Sequence, residues 1–262
     1  MVDIDAVLLL SFGGPEAPDQ VRPFLERVAH GRGVPPERLA QVEQQYLAVG
    51  GCSPINEQNR MLRAAMADEL ATDPVGDGRP VPVYWGNRNW HPFLADTLRQ
   101  MRDDGIGTAA VVVTSAYSSY SGCRQYREDL AEASAEVAAE GQGPAPVLLK
   151  VRRYFDHPAF IEVMADNVVT ALGELPPGGP TPTLVFTTHS IPVSSAVESG
   201  PPDDPTDTYL SQHQFVAARL ATVVGDRIGV DLTWDLVFQS RSGPPSMPWL
   251  EPDICEHLTA LA

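Results

Sequence analysis

The chain is short of positive charge: 18 lysines and arginines face 34 acidic residues, a formal net charge of −16 over 262 residues. Such a field repels phosphate backbones and anionic lipid heads, which argues against nucleic-acid partners and against membrane-surface binding. Cysteine is scarce as well. Cys52, Cys123 and Cys255 are odd in number and far apart, and no C-x-x-C pair occurs. Neither a disulfide framework nor a zinc site is indicated, and a reducing compartment fits best. No apolar run approaches the ~18 residues that span a bilayer, so no membrane insertion is expected. In the opening MVDIDAVLLLSFGG the short apolar run follows two aspartates instead of a basic segment, so it reads as a core strand and not as a signal peptide. Walker A, G-x-S-x-G and G-x-G-x-x-G patterns are all missing, which removes the usual support for nucleotide-binding and hydrolase readings. What remains points to a soluble, cytoplasmic protein.

The chain does have short, nearly continuous apolar runs between longer amphipathic stretches. The runs are AVLLLSF (6–12), VPVYWG (81–86), AAVVVTSAY (109–117), PVLLKV (146–151), TLVFTTH (183–189) and LTWDLVFQS (232–240). Val- and Leu-rich runs without polar alternation suit strands buried on both faces of a parallel sheet. Helical patterns fall at roughly 17–30, 37–49, 56–71, 91–104, 123–141, 157–174, 207–226 and 251–262. Strand-then-helix alternation predicts an α/β protein with parallel sheets flanked by helices. A boundary across GQGPAP divides it into an N-terminal lobe, 1–143, and a C-terminal lobe, 144–262, each Rossmann-like. The last helix, LEPDICEHLTALA, delivers no further strand, so the second lobe is expected to be incomplete.

Ligands of open α/β sheets bind beyond the carboxyl ends of the strands, which directs attention to five exits. SFGGPEAP (11–18) allows a tight turn and close ligand approach, or simply a turn before a helix. WGNRNWHP (85–92) places Arg88 among aromatics. TSAYSSYSGCRQYRED (114–129) carries three tyrosines, five serines or threonines and two arginines. It suits carboxylates and a flat ring, and reads equally as a well-capped surface loop. The strand TLVFTTH ends in His189, either a hydrogen-bonded structural residue or a group that accepts a proton or ligates a divalent metal. The remaining histidines show no HxxxH or H-E-x-x-H spacing, so a three-histidine cage is unsupported. The fifth exit, FQSRSGPPSMPWLEP (238–252), leads Gln239, Ser240 and Arg241 into a proline-locked loop.

Taken in order, LLLSFGGP, FLERVAHGRGVP, YLAVGGCSPIN, YWGNRNWHPF, TSAYSSYSGCRQY, YFDHPAF, VFTTHSIP and WDLVFQSRSGPPSMPWLEPDI resemble the ferrochelatase family along the whole chain. Within it, they are similar to the coproporphyrin ferrochelatases of Gram-positive, actinobacterial-type bacteria. The resemblance implies two Rossmann-like lobes, a porphyrin cleft and insertion of Fe2+, as substrate, into coproporphyrin III for haem biosynthesis. It implies that His189 is the catalytic residue and meets the metal, and that Ser53, Tyr126 and Arg32 contact the tetrapyrrole. Three departures accompany it. Phe12 stands where some relatives carry an axial tyrosine, and Gln45 where some carry arginine. The family also continues into a segment of S/A-D-H-x-E type, whose glutamate assists the histidine and has no counterpart here. Some relatives hold a 2Fe–2S cluster; three scattered cysteines cannot supply four thiolates, so none is expected in this chain. The expected partner is thus a porphyrin, on a monomeric protein. A non-catalytic porphyrin-binding protein is the alternative that the short second lobe suggests.

Overall fold

The computed structural model describes residues 3–31, 33–72, 78–200, 204, 206–241 and 246–261. Two compact units emerge: Met1–Ser115 with Tyr126–Arg152, and Ala116–Gln125 with Arg153–Ala262.

In the first unit, β1 (Ala6–Ser11), β2 (Val83–Asn87), β3 (Thr108–Val113) and β4 (Val147–Lys150) form one parallel sheet in the order β2-β1-β3-β4. β1 lies between two neighbours, and all six of its residues are buried. That is why AVLLLS has no polar alternation: both of its faces pack against apolar groups. Helices α1 (Val21–Ala29), α2 (Pro36–Ala48), α3 (Ile55–Thr72), α4 (Leu94–Asp103) and α5 (Gln125–Ala139) complete the unit. Leu98 and Met101 of α4, and Leu130 and Val137 of α5, pack with Leu8, Leu10, Val111 and Val113 into one core. Each fully buried leucine contributes about 2 kcal/mol. A smaller cluster joins Val21, Phe24 and Leu25 of α1 to Phe12, Leu39, Val42, Tyr46 and Trp90.

In the second unit, β5 (Leu184–His189) and β6 (Trp234–Gln239) form a two-stranded parallel sheet. Helices α6 (Pro158–Gly173), α7 (Val193–Val197), α8 (Tyr209–Ile228) and α9 (Ile254–Leu261) belong to the same unit. Ile161 and Ala165 of α6 pack on Val216, Leu220 and Val224 of α8, with Tyr117, Phe155, Phe186 and Leu232 around them. α8 starts sharply because Thr208 and Ser211 cap each other reciprocally, and it stops at Gly229, whose φ is 71°.

The parallel α/β architecture agrees with the sequence reading. The lobe boundary falls elsewhere than at 143/144. β4 lies beyond GQGPAP yet pairs with β3 from Thr108↔Val147 to Val111↔Lys150, so α5 is a crossover within the first sheet. The run read as a strand through residue 117 ends at Val113. Residues Ala116–Gln125, with a single π-helical turn at Tyr120–Arg124, belong to the second unit.

Candidate functional site

In the first unit, three of the sequence motifs meet. The N–H of Ser53 donates to Pro15 O at 2.8 Å, and the Ser53 Oγ accepts from Ile55 N at 3.4 Å. A Cβ added to Gly14 would lie 2.8 Å from Ser53 Oγ and from Ile55 Cγ2, so only glycine lets the SFGGP turn seat against GGCSPIN. Asn56, fully buried, donates to Gly14 O at 3.2 Å and accepts from Asn87 Nδ2 at 3.3 Å. Asn87 in turn accepts from Trp85 Nε1 at 3.1 Å. The exits of β1 and β2 and the start of α3 are therefore one hydrogen-bonded cluster, with half-buried Ser53 at its rim.

Tyr126 sits deeper. It is 4% exposed and belongs to the core of the first unit. Its ring faces the Arg88 guanidinium at 4.6 Å, and Arg88 also lies 5.8 Å from the Phe12 ring. The Arg88 side chain, only 4% exposed, pairs with Asp129. Burial pushes the Asp129 carboxyl above its ordinary range in spite of that arginine. Arg88 was expected to lie at a polar exit beside aromatics; the structure makes it a buried strut beneath Tyr126 and Phe12. Gln45 is exposed on α2, and Arg32 lies outside the described residues.

In the second unit, His189 ends β5 with its side chain exposed. Its Nδ1 lies 2.6 Å from Ser190 O. A carbonyl only accepts, so Nδ1 carries a proton, and of the two neutral tautomers this contact selects the one with its lone pair on Nε2. The following residues are tied down from several sides. Ser190 N donates to Gln239 O at 2.7 Å, Ser190 Oγ to Leu250 O at 2.9 Å, and Leu250 N to Ile191 O at 3.1 Å. Val193 N donates to Pro248 O at 3.0 Å, and Pro192 bridges Trp249. The THSIP and PWLEP segments are thus neighbours that share backbone hydrogen bonds.

Behind His189 stands a set of groups that sequence reasoning missed. The Tyr209 hydroxyl donates to His189 O at 3.0 Å and lies 2.7 Å from Thr188 Oγ1. Thr188 Oγ1 lies 3.0 Å from His213 Nε2, and His213 Nδ1 lies 2.7 Å from Tyr209 O. Tyr117 stacks on the His213 ring with centroids 3.8 Å apart. Burial raises Tyr209, pushes Tyr117 up to about 12 and lowers His213, so all three rings are held neutral. The four-residue spacing of Tyr209 and His213 on one helix face was the available signal. Nearby, Ser118 N donates to Gln212 Oε1 at 2.7 Å, and Ser118 Oγ accepts from Gln212 and Arg153. Arg153 also pairs with Asp207 at 2.7 Å. This buried network holds the 116–125 segment to α8.

Residues 4–262 match the profile of the family described as Ferrochelatase. The chain belongs to the ferrochelatase family. It is 55% identical over 257 residues to the coproporphyrin III ferrochelatase of Streptomyces coelicolor, covering 97% of this chain and 67% of that protein. It is 52% identical to the coproporphyrin III ferrochelatase of Streptomyces griseus, over 98% of this chain and 68% of the relative. With the coproporphyrin III ferrochelatase of Mycolicibacterium smegmatis the identity is 50%, over 100% of this chain and 72% of the relative. A ferrochelatase is a lyase of haem biosynthesis with Fe2+ as a substrate, and the α/β architecture described above accords with membership. No helix among the described residues is long and apolar enough to cross a membrane.

Proposed function

We propose that this ferrochelatase inserts Fe2+ into coproporphyrin III, with His189 as its catalytic residue. The observation that carries this reading is the 2.6 Å contact of His189 Nδ1 with Ser190 O. Donation from Nδ1 to Ser190 O leaves Nε2 with a free lone pair on an exposed ring at a strand exit. Metal insertion exchanges two pyrrole N–H protons for one Fe2+. An imidazole nitrogen in this state can take one of those protons or hold the incoming cation, and the second proton leaves to solvent. The metal is a substrate here, and the acidic chain favours the approach of a dication.

The substrate's four propionates are repelled by the same field, so local donors must offset it. Arg32, in HGRGVP, is the cation we assign to a propionate, and half-buried Ser53 offers a hydroxyl donor. Tyr126 is assigned to the tetrapyrrole as well, as a rigid ring with its back against Arg88. Phe12 gives iron no axial oxygen, so the product is released without a protein O-donor from that position. We place the reaction in the cytoplasm, on a monomer that carries no 2Fe–2S cluster of its own.

The test is anaerobic absorbance of coproporphyrin III with Fe2+, for the wild-type chain and His189→Ala. Steady metallation by the wild type is expected, and the substitution should slow it on the order of a hundred- to ten-thousand-fold, the range for removal of a positioned acid–base group. Metallation unaffected by His189→Ala would overturn the assignment of that residue. Preference for protoporphyrin IX would overturn the substrate. A spectral shift on porphyrin binding with no iron entering would make the chain a porphyrin carrier.

A further inference from the structure

We propose that Tyr209 is a positioning residue for His189, the near end of a buried hydroxyl brace that Thr188 tunes and whose far end is set by His213. The proposal rests on the reading of His189 as the reactive residue.

The geometry begins with one peptide plane. His189 O and Ser190 N belong to the same peptide group. Its oxygen accepts from Tyr209 Oη at 3.0 Å, while its nitrogen donates to Gln239 O at 2.7 Å. The peptide is therefore held at both ends, from α8 on one side and from the end of β6 on the other. Next along the chain, Ser190 O is the acceptor that selects the His189 tautomer. A rotation of the 189–190 peptide would move that acceptor and release Nδ1. Packing alone offers little restraint, because His189 is exposed and β5 is only partly covered. The hydrogen bonds have to supply it.

The supply of protons along the brace is limited. His213 Nδ1 faces Tyr209 O, a carbonyl, so the ring's proton sits on Nδ1 and Nε2 accepts. Thr188 then gives its proton to His213 Nε2 and presents a lone pair to Tyr209. The single Tyr209 proton is shared between Thr188 Oγ1, at 2.7 Å, and His189 O, at 3.0 Å. His213 thus fixes the direction of the Thr188 hydroxyl, and through it how firmly Tyr209 grips the His189 carbonyl. Among the described residues, Tyr117, Thr188 and Tyr209 face this ring, and none of these three is charged. Orienting partners of this kind keep a reactive imidazole in one tautomer and one direction.

The experiment compares Tyr209→Phe, Thr188→Val and Thr188→Ser with wild type and His189→Ala. Two readouts are taken: long-range proton–nitrogen NMR of the imidazoles, and metallation of coproporphyrin III by Fe2+. In wild type and Thr188→Ser, His189 should show the Nδ1–H tautomer. In Tyr209→Phe it should become a mixture, whereas Thr188→Val removes the competing acceptor, leaves Tyr209 donating to His189 O alone and should keep the Nδ1–H tautomer. Where His189→Ala abolishes metallation, Tyr209→Phe should lower kcat about 10- to 100-fold with the porphyrin KM little changed, while Thr188→Val and Thr188→Ser should stay near the wild-type rate. If the His189 tautomer in Tyr209→Phe is the same as in wild type, or if Thr188→Val loses it as Tyr209→Phe does, the Tyr209 hydroxyl is not the positioning device. If instead His189→Ala still metallates at the wild-type rate, the underlying reading of His189 fails, while the tautomer result judges the brace independently. A chain that metallates nothing leaves the NMR comparison to decide alone.

Discussion

The two units hold their candidate groups by different physical means. In the first, Tyr126 is 4% exposed within a core that wraps the central strand, and the Arg88 side chain, 4% exposed, is packed against its ring. In the second, His189 stands exposed at the end of a two-stranded sheet, where β5 has no fully buried residue and β6 has two. Its direction comes from hydrogen bonds to Tyr209, Ser190 and their neighbours. A side chain proposed to back a rigid planar ligand can be locked by packing. One that must meet a metal and exchange protons has to stay accessible, and hydrogen bonds restrain it without covering it.

The sharpest way to break this contrast is to remove matched side chains from the two sheets. Leu10 in β1 is fully buried, whereas Val185 in β5 is only half-buried. Leu10→Ala should cost about 2–5 kcal/mol through lost transfer energy and a residual cavity. Val185→Ala should cost about 1 kcal/mol. Hydrogen exchange at β1 and at β5 reads each unit separately, since one global transition cannot be assumed for a two-unit chain. Equal costs at both positions would mean that the second sheet is covered far better than its exposure suggests.

A smaller effect tests the strut under Tyr126. Asp129→Ala deprives an almost fully buried guanidinium of its carboxylate partner, and should cost about 2–3 kcal/mol. That is the low end for a broken buried pair, because Asp129 keeps 26% of its side-chain surface exposed. Arg88→Met with Asp129→Leu removes both charges and should recover most of the loss. Urea unfolding followed at Tyr126 measures this. A double variant no better than Asp129→Ala would show that the cation–aromatic contact, not the ion pair, holds the strut.

Much of this organisation was visible in the sequence, for identifiable reasons. All six apolar runs were legible as strands, from AVLLLSF to LTWDLVFQS; in β1 the run reflects burial on both faces, while β4 and β5 keep exposed positions although their sequences are apolar. Helices α1, α4, α5, α6 and α9 fall within the stretches read as helical, and α2, α3 and α8 overrun theirs by one or two residues. α7 is five residues long, too short to show a period. The lobe boundary was misplaced because GQGPAP has the composition of a linker while serving as an αβ turn within one sheet. Likewise the hydroxyl-rich 114–129 stretch looks continuous, yet its middle is held by Gln212, 94 residues away, through Ser118. His189 announced itself by its place at a strand exit. The Tyr209, Thr188 and His213 brace did not, because its chemistry lies in which groups face each other across a helix and a strand.

The smallest expected effect separates the two means of restraint by pH. Burial lowers His213 below its ordinary 6.5, opposed in part by the hydrogen bond to Tyr209 O. An unfolded chain binds a proton at that residue near pH 6.5, while the folded chain resists it until lower pH. The stability linked to the neutral ring is therefore fully present above about pH 6.5, and it is lost as pH falls from there through the folded value. His213→Phe keeps an aromatic ring against Tyr117 but cannot titrate. Between about pH 7.5 and 5, wild type should lose stability in the second unit more steeply than His213→Phe, as read by exchange at β5 and α8. The first unit should show the same slope in both proteins, because His213 and the rings around it lie in the second. Identical slopes in the second unit would mean that His213 accepts its proton in the folded state as readily as in the unfolded one. The brace would then carry a charge at mildly acidic pH, and Thr188 would point its proton toward Tyr209 instead of away from it.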